Sequence, residues 1–312
     1  MYKYFLKRLL MMVPILLGVS FIVFSLLALA PGDPAYIILG ASADQEALDQ
    51  LNHELGFDQP FLQRYFNYVY NLIVHFNFGD SYRSRQPVMN ELKKRIPVSI
   101  SLSLSGILLA SIIGVPLGVL SAVKQYTVFD TVPTILAMLL SAFPSFWMGM
   151  LLIYYVAFKL SLFPSFGIGT WKHYVLPTTA IGMIYAARLL RYTRSSMLDS
   201  IRQDYVRTAR AKGAPERVVI WKHALRNALL PTVTVIGTSF GLLIGGTIVM
   251  ENLFSIPGLG SLVISGINQR DIPVVMATTL VIATFFCFIL LIMDLLYAVL
   301  DPRIKAKYVK KG

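Results

Sequence analysis

The sequence predicts an all-α, polytopic helical bundle embedded in a lipid bilayer, on three grounds: its composition, its long uncharged runs and the placement of its basic residues. Of 312 residues, 56% are hydrophobic and only 14% charged, with a mean hydropathy of +0.65. That is more apolar side chain than one water-soluble core buries. A helix needs roughly 20 apolar residues to cross about 30 Å of hydrocarbon, and the chain offers several such runs between polar or Gly/Pro-marked breaks. The net charge of +12 comes from basic residues that flank apolar runs instead of alternating with exposed aromatics. A membrane interface is therefore the expected partner, and nucleic acid is not.

The first run, residues 9–30, follows Lys3, Lys7 and Arg8 and stops at the helix-breaking cluster Pro31-Gly32-Asp33-Pro34. A cleaved signal peptide is the rival reading, but about 22 apolar residues exceed the usual core of roughly 7–15, so a retained membrane helix is expected. From Pro31 to Pro97 the chain is polar and too long for a mere connection, which implies a small extramembrane helical element. Within it, Ser42 and Gln45 fit a capping box for a helix through Leu48, Leu51 and Leu55 that ends at Gly56. A second, aromatic helix is expected after Pro60, with Phe61, Tyr65, Tyr68 and Leu72 on one face for packing.

Further apolar runs follow at 98–123, 132–158, 174–190, 229–250 and 273–300, which brings the expected spans to six. The predicted organisation is a first helix with its extracellular loop (1–97), a five-helix core (98–301) containing a cytoplasmic loop at 195–228, and a basic tail (302–312). With both termini inside, the inner segments hold roughly 19 Lys/Arg and the outer ones about 9, most of those in the long first loop, which sets the expected orientation. Gly114/Gly118 and Gly241/Gly245, each four apart, are expected to let helix backbones approach closely. Asp294 is the acidic residue nearest a span centre, and a self-powered, ion-coupled carrier would need a charge at the midplane.

Other chemistry is weakly supported. Gly237-Thr-Ser239-Phe-Gly241 has the letters of a nucleophile elbow but lies inside an apolar run, where no strand-to-helix turn can form. The histidines His53, His75, His173 and His223 are not spaced as a metal pair, and Cys287 stands alone. No G-x-x-x-x-G-K-[ST] phosphate loop occurs, so the chain cannot hold ATP by that device, and if it is ATP-powered the power comes from a partner.

The most informative segment is hydrophilic. It reads as two helices broken at Lys212-Gly213-Ala214, the first carrying Tyr205, Ala209 and Lys212 along one side. The second begins at Pro215 with Glu216 at its positive end, and Val218, Trp221 and Leu225 form its expected apolar stripe. The stretches DYVRTARAKG (204–213) and HALRNALLP (223–231) resemble the cytoplasmic loop of binding-protein-dependent ABC importer permeases of the oligopeptide/dipeptide/nickel branch. So do PGDP (31–34), LGFDQP (55–60), ENLFSIPGLG (251–260) and DLLYAVLDPRI (294–304), so the likeness covers nearly the whole chain. Departures are Arg207-Thr208-Ala209 where the general pattern has E-A-A, the later Pro231, and Asn77 where the family carries an acidic residue.

The resemblance implies a type I importer permease of the bacterial inner membrane that forms a pore with a second, related permease. It implies two ATP-binding subunits that hold ATP and magnesium, an extracellular substrate-binding protein, and no cofactor or catalytic site on this chain. It assigns ATPase coupling to Tyr205, Arg207, Thr208, Ala209, Lys212, Gly213 and Ala214, and an extracellular gate loop to Glu251, Pro257, Gly258 and Gly260. Peptides are the expected cargo, with a metal chelate or glutathione as the alternatives.

Overall fold

In a computed structural model, residues 2–29, 34–40 and 43–300 are described, and among them no multi-residue strand occurs. Helix α1 (Tyr2–Leu29) carries Lys3, Lys7 and Arg8 in its first turns and is uncharged from Leu9 onward. The short α2 (Pro34–Leu39), α3 (Gln45–Glu54) and α4 (Phe61–His75) make up the segment expected to lie outside the membrane. Ser42, the break at 31–33 and the tail at 302–312 lie outside the described residues. The expected capping box is not how α3 begins: Asp44 occupies the N-cap position without a side-chain cap, and Gln45 instead donates to Asp49 at 3.1 Å. The other end of α3 is as expected. Gly56 has φ +72°, its N–H donates to the His53 carbonyl and that of Phe57 to the Asn52 carbonyl, a pairing that satisfies the last carbonyls of the helix.

The aromatic face of α4 packs on α1. Tyr65 is buried against Phe24 and Met276, and its hydroxyl donates to the Leu17 carbonyl at 3.1 Å while lying 2.9 Å from the Ser20 hydroxyl. Burial pushes the Tyr68 phenol well above its ordinary pKa and draws the Arg64 guanidinium below its own.

Helix α5 (Val88–Val123) has 36 residues and so is ~54 Å long, far more than a bilayer core requires. Its expected start near residue 98 is corrected to Val88. Pro97 does not end the helix, because Val88 and Leu92 on the preceding turns are fully buried against Leu259, Leu262, Val274 and Ala277. Packing there outweighs the hydrogen bond that the proline removes.

The expected continuous span 132–158 is broken. Helix α6 (Val128–Ala142) turns by 100° at Phe143-Pro144 into α7 (Ser145–Leu152), which continues as a π-helical segment, Ile153–Lys159. Helix α8 (Lys172–Ile201) replaces the expected 174–190 and carries Arg188, Arg191 and Arg194 inside a regular helix. It persists because Leu189, Leu190, Thr193, Met197 and Ser200 bury one face past the end of the apolar run. Then come α9 (Asp204–Ala211) and α10 (Glu216–Val218) with a π-helical segment, Val219–Ala224. Helices α11 (Leu225–Gly246), α12 (Ile248–Leu253), α13 (Leu259–Asn268) and α14 (Ile272–Leu300) complete the chain.

By length and composition four helical stretches can cross a membrane, Phe5–Leu29, Val88–Val123, Glu216–Gly246 and Ile272–Leu296, and the bent α6–α7 pair makes a fifth. Helix α8, assigned the fourth of the six expected spans, has the length but falls outside that set because its arginines and hydroxyls dilute its apolar character.

The packing expected at the first glycine pair is tight. A β-carbon on Gly114 would lie 2.5 Å from the Ala186 carbonyl oxygen, and one on Gly118 would lie 2.7 Å from that of Leu190. Helices α5 and α8 thus meet backbone to backbone. At Gly241 the nearest neighbour, 3.1 Å away, is the Phe286 ring, which has room to shift. We predict that Gly118→Val lowers the thermal midpoint of the solubilised protein by an amount corresponding to about 1–3 kcal/mol. Gly18→Ala, with no atom within 4 Å of the new carbon, should leave it unchanged. Equal midpoints for the two variants would refute the close approach.

Candidate functional site

Three groups of residues stand out, and α8 connects two of them. At one end, α8 stops at Ile201 and the chain reverses through α9 and α10. The turn between them is made by Gly213, at φ +77°. Its N–H donates to the Arg210 carbonyl at 2.9 Å and that of Ala214 to the Ala209 carbonyl at 3.2 Å, so the last carbonyls of α9 are satisfied within the turn. Arg210 then spans the turn with two bonds to Glu216, at 3.1 and 2.7 Å. Two hydroxyls fasten the unit to the bundle: Ser200 donates to the Ala224 carbonyl at 2.8 Å and lies 2.7 Å from the Tyr205 hydroxyl.

The seven residues assigned to coupling divide between two faces. Arg207, Thr208, Lys212 and Gly213 point outward, and the space around Gly213 is open, with no atom within 4 Å of a built β-carbon. Tyr205 is 40% exposed. Ala209 is buried at 8%, and Ala214 is half-buried beside it, both against Val206, Val219 and Ala224. Ala209 therefore does not share an outward side with Tyr205 and Lys212; it packs α9 on its own bundle.

The second helix also differs. It is not separate but runs on into α11, and the π-helical widening shifts its register by one residue. The buried face is Val219, Ile220 and Ala224, while Val218 and Trp221 of the expected stripe are exposed.

At the opposite end of α11, Glu251 is fully buried. Ser99 of α5 donates to its Oε1 at 2.6 Å, Thr247 to the same atom at 2.8 Å, and the Ser261 N–H to Oε2 at 2.9 Å. Ser99 in turn accepts from the Leu259 N–H at 2.7 Å. A β-carbon at Gly258 would collide with the Glu251 carboxyl, and one at Gly260 would lie 2.5 Å from Ile248, so both glycines are required by close approach. Glu251 thereby ties α5, α12 and α13 together, while Pro257 is only half-buried at the surface of the loop. The Ser81 hydroxyl and the Tyr82 N–H similarly donate to the buried Asp271, at 2.5 and 3.2 Å, and hold the segment before α5 to the start of α14.

The third group was missed by sequence reasoning. Asp130, 4% exposed, takes bonds of 2.6 and 2.8 Å from Arg194 and one of 2.5 Å from Ser121. Further along α8 a cavity of ≈ 400 Å³ opens between α6, α7, α8, α11 and α12, and Arg188 and Arg191 border it. The signal available was the spacing of three arginines at intervals of three, which places them on neighbouring positions of a helix face. Ser239, of the apparent nucleophile elbow, is buried inside α11 at 2% exposure.

This is the architecture of a polytopic transport subunit, and the chain belongs to the family of binding-protein-dependent transport system inner membrane components, whose pattern matches residues 114–306. The N-terminal pattern of the same membrane components matches residues 1–103. It is 40% identical to the glutathione transport system permease protein GsiC of Escherichia coli K12, over 98% of this chain and all of that one. Likeness to GsiC of Salmonella typhi is also 40%, over the same shares of both chains. The fold is shared with the crystal structure of an amino acid ABC transporter with histidines, at a TM-score of 0.55 and 10% identity, covering 67% of this chain and 93% of that one. The protein is thus an inner-membrane permease component of an ABC importer that works with a substrate-binding protein and ATPase partners.

The buried carboxylate yields a stability prediction. Glu251→Ala leaves Ser99, Thr247 and the Ser261 N–H without their acceptor, which should cost about 1–3 kcal/mol. Limited proteolysis of the purified protein should then cut the 251–261 loop faster than in wild type, with Glu251→Gln intermediate. Unchanged cleavage of Glu251→Ala would dismiss the tie.

Proposed function

We propose that this chain is the permease through which short peptides cross the membrane, paired with a second related permease and driven by two ATP-binding subunits that grip its α9–α10 protrusion. The observation that carries the proposal is the construction of that protrusion. Arg207, Thr208, Lys212 and Gly213 form an outward face, while the Gly213 turn, the Arg210–Glu216 pair and the Ser200 and Tyr205 hydroxyls brace it from behind. A lever must be stiff. Reversing a 1:99 preference between inward-open and outward-open packing takes about 5.5 kcal/mol of differential binding, which a slack loop would dissipate. In this reading both termini are cytoplasmic, the Glu251–Gly260 loop is an extracellular gate, and this chain holds no catalytic site.

Glutathione, itself a tripeptide, is the second reading for the cargo, favoured by the 40% identity to permeases named for its transport. Both readings keep the same coupling mechanism, because selectivity for the captured cargo is shared with the binding protein.

Gly213→Asp tests the coupling. The new side chain meets open space, so membrane insertion should persist, with about 1–2 kcal/mol of local backbone strain. The acidic group should release the ATPase subunits on co-purification or abolish substrate-stimulated ATP hydrolysis. Normal stimulated hydrolysis by the assembled variant complex would sink the docking assignment.

A further inference from the structure

We infer that Arg188 and Arg191 form a carboxylate-binding station in the cargo path, suited to acidic peptides that bring a second carboxylate besides their C-terminal one. The inference rests on the peptide-import reading above and adds a site to it.

The charge balance on α8 comes first. Arg188, Arg191 and Arg194 follow one another at intervals of three on that helix. Arg194 is saturated by the two oxygens of Asp130. Arg188 and Arg191 are exposed to the cavity they border, and among the described residues neither is within salt-bridge distance of an acidic side chain. Two positive charges therefore face one space with no acidic side chain among the described residues paired to them.

Depth is the second consideration. The far wall of the cavity includes Leu243, Gly246 and Met250. Gly246 ends α11 and Leu225 begins it, so this wall lies ~30 Å along that helix from the α9–α10 end, while Arg191 and Arg188 stand ~15–20 Å before the α8 end at Ile201. Arginine at membrane depth costs about 2.5–3.5 kcal/mol on insertion scales and normally faces a water-filled path with a specific partner. Met250 also precedes Glu251, so the cavity adjoins the tie that holds the 251–261 loop.

The remaining lining fits a peptide. A volume of ≈ 400 Å³ is within the usual range of small-molecule sites, about 300–1,000 Å³. Ser141, Ser145 and Tyr185 supply hydroxyls, and Ile181 and Ile184 an apolar wall. Ser145 opens α7 directly after the 100° bend at Pro144, so the positive end of that half-helix meets the same space. Guanidinium forks pair with carboxylates through two parallel bonds, and two forks match two carboxylates.

The test uses the complete transporter, reconstituted in proteoliposomes with its binding protein, and two cargoes. One is a neutral tripeptide with a single carboxylate, the other an acidic tripeptide with a second, glutathione serving as that probe. In Arg188→Gln/Arg191→Gln, uptake of the acidic tripeptide should fall at least ~5-fold more than that of the neutral one, whose single carboxylate loses only one fork, a ratio equivalent to about 1 kcal/mol or more of selective binding. Arg188→Lys/Arg191→Lys should recover much of the acidic uptake, which separates lost charge from misfolding. Equal loss of both cargoes, as a lipid-anchoring or folding role would produce, overturns the station, and so does unchanged acidic uptake. If the wild-type transporter carries neither tripeptide, the peptide-import reading itself fails and the station falls with it.

Discussion

The close approach of α5 and α8 is the constraint on which the rest of the molecule depends. In a bilayer, burying apolar side chains gains little, because lipid is as apolar as leucine, so helices associate by van der Waals fit and by polar contacts. Gly114 and Gly118 remove the side chains that would keep α5 from the Ala186 and Leu190 carbonyls. Once α8 is pressed against α5, its other faces have fixed directions. One side offers Arg194 to Asp130 of α6, another borders the cavity with Arg188 and Arg191, and its last turns fasten the α9–α10 unit.

Helix α8 is therefore a single rod between the cavity and the protrusion. Ser196 donates to the Ala228 carbonyl at 2.9 Å and Ser200 to that of Ala224 at 2.8 Å, so α8 and the start of α11 are pinned together near the protrusion. Force applied to the outward face of α9 has a path of packed and hydrogen-bonded groups into both helices. At the other end of α11, the buried Glu251 performs a comparable service, joining α5, α12 and α13 through its two oxygens. The two ends of the bundle are thus stiff, and the broken α6–α7 pair and the cavity lie between them. An alternating-access transporter needs this division, since rigid parts must move against one another around a site that opens to either side.

The buried carboxylates among the described residues are paired in a way that explains their tolerance in an apolar surrounding. Asp130 meets a bidentate arginine and a hydroxyl, Asp271 a hydroxyl and backbone donors, and Glu251 two hydroxyls and a backbone N–H. Breaking a buried pair such as Asp130–Arg194 strands a charge, at a cost of about 3–5 kcal/mol. Arg188 and Arg191, exposed and without an acidic side chain in salt-bridge range among the described residues, are not held by the fold in this way.

The sequence by itself determined the helical membrane class, the α3 stop at Gly56, the aromatic face of α4 and the helix break at Gly213, because each follows from local chemistry: apolar length, a left-handed glycine, a periodic stripe. It also marked the residues of the Glu251–Gly260 loop, although not what they do for one another. Tertiary structure alone decided that α5 begins at Val88 despite Pro97, that α6 and α7 part by 100°, and that α8 runs on through its arginines. It also set the register of the buried face at Val219 and turned Ala209 inward, through a π-helical widening and a neighbouring cluster that no periodicity count contains. The partners of Glu251 and Asp130 come from helices far away in the chain, Ser99 and Arg194 among them. Such contacts depend on which backbones are close enough to touch, and that is settled only when the glycine-faced helices have packed.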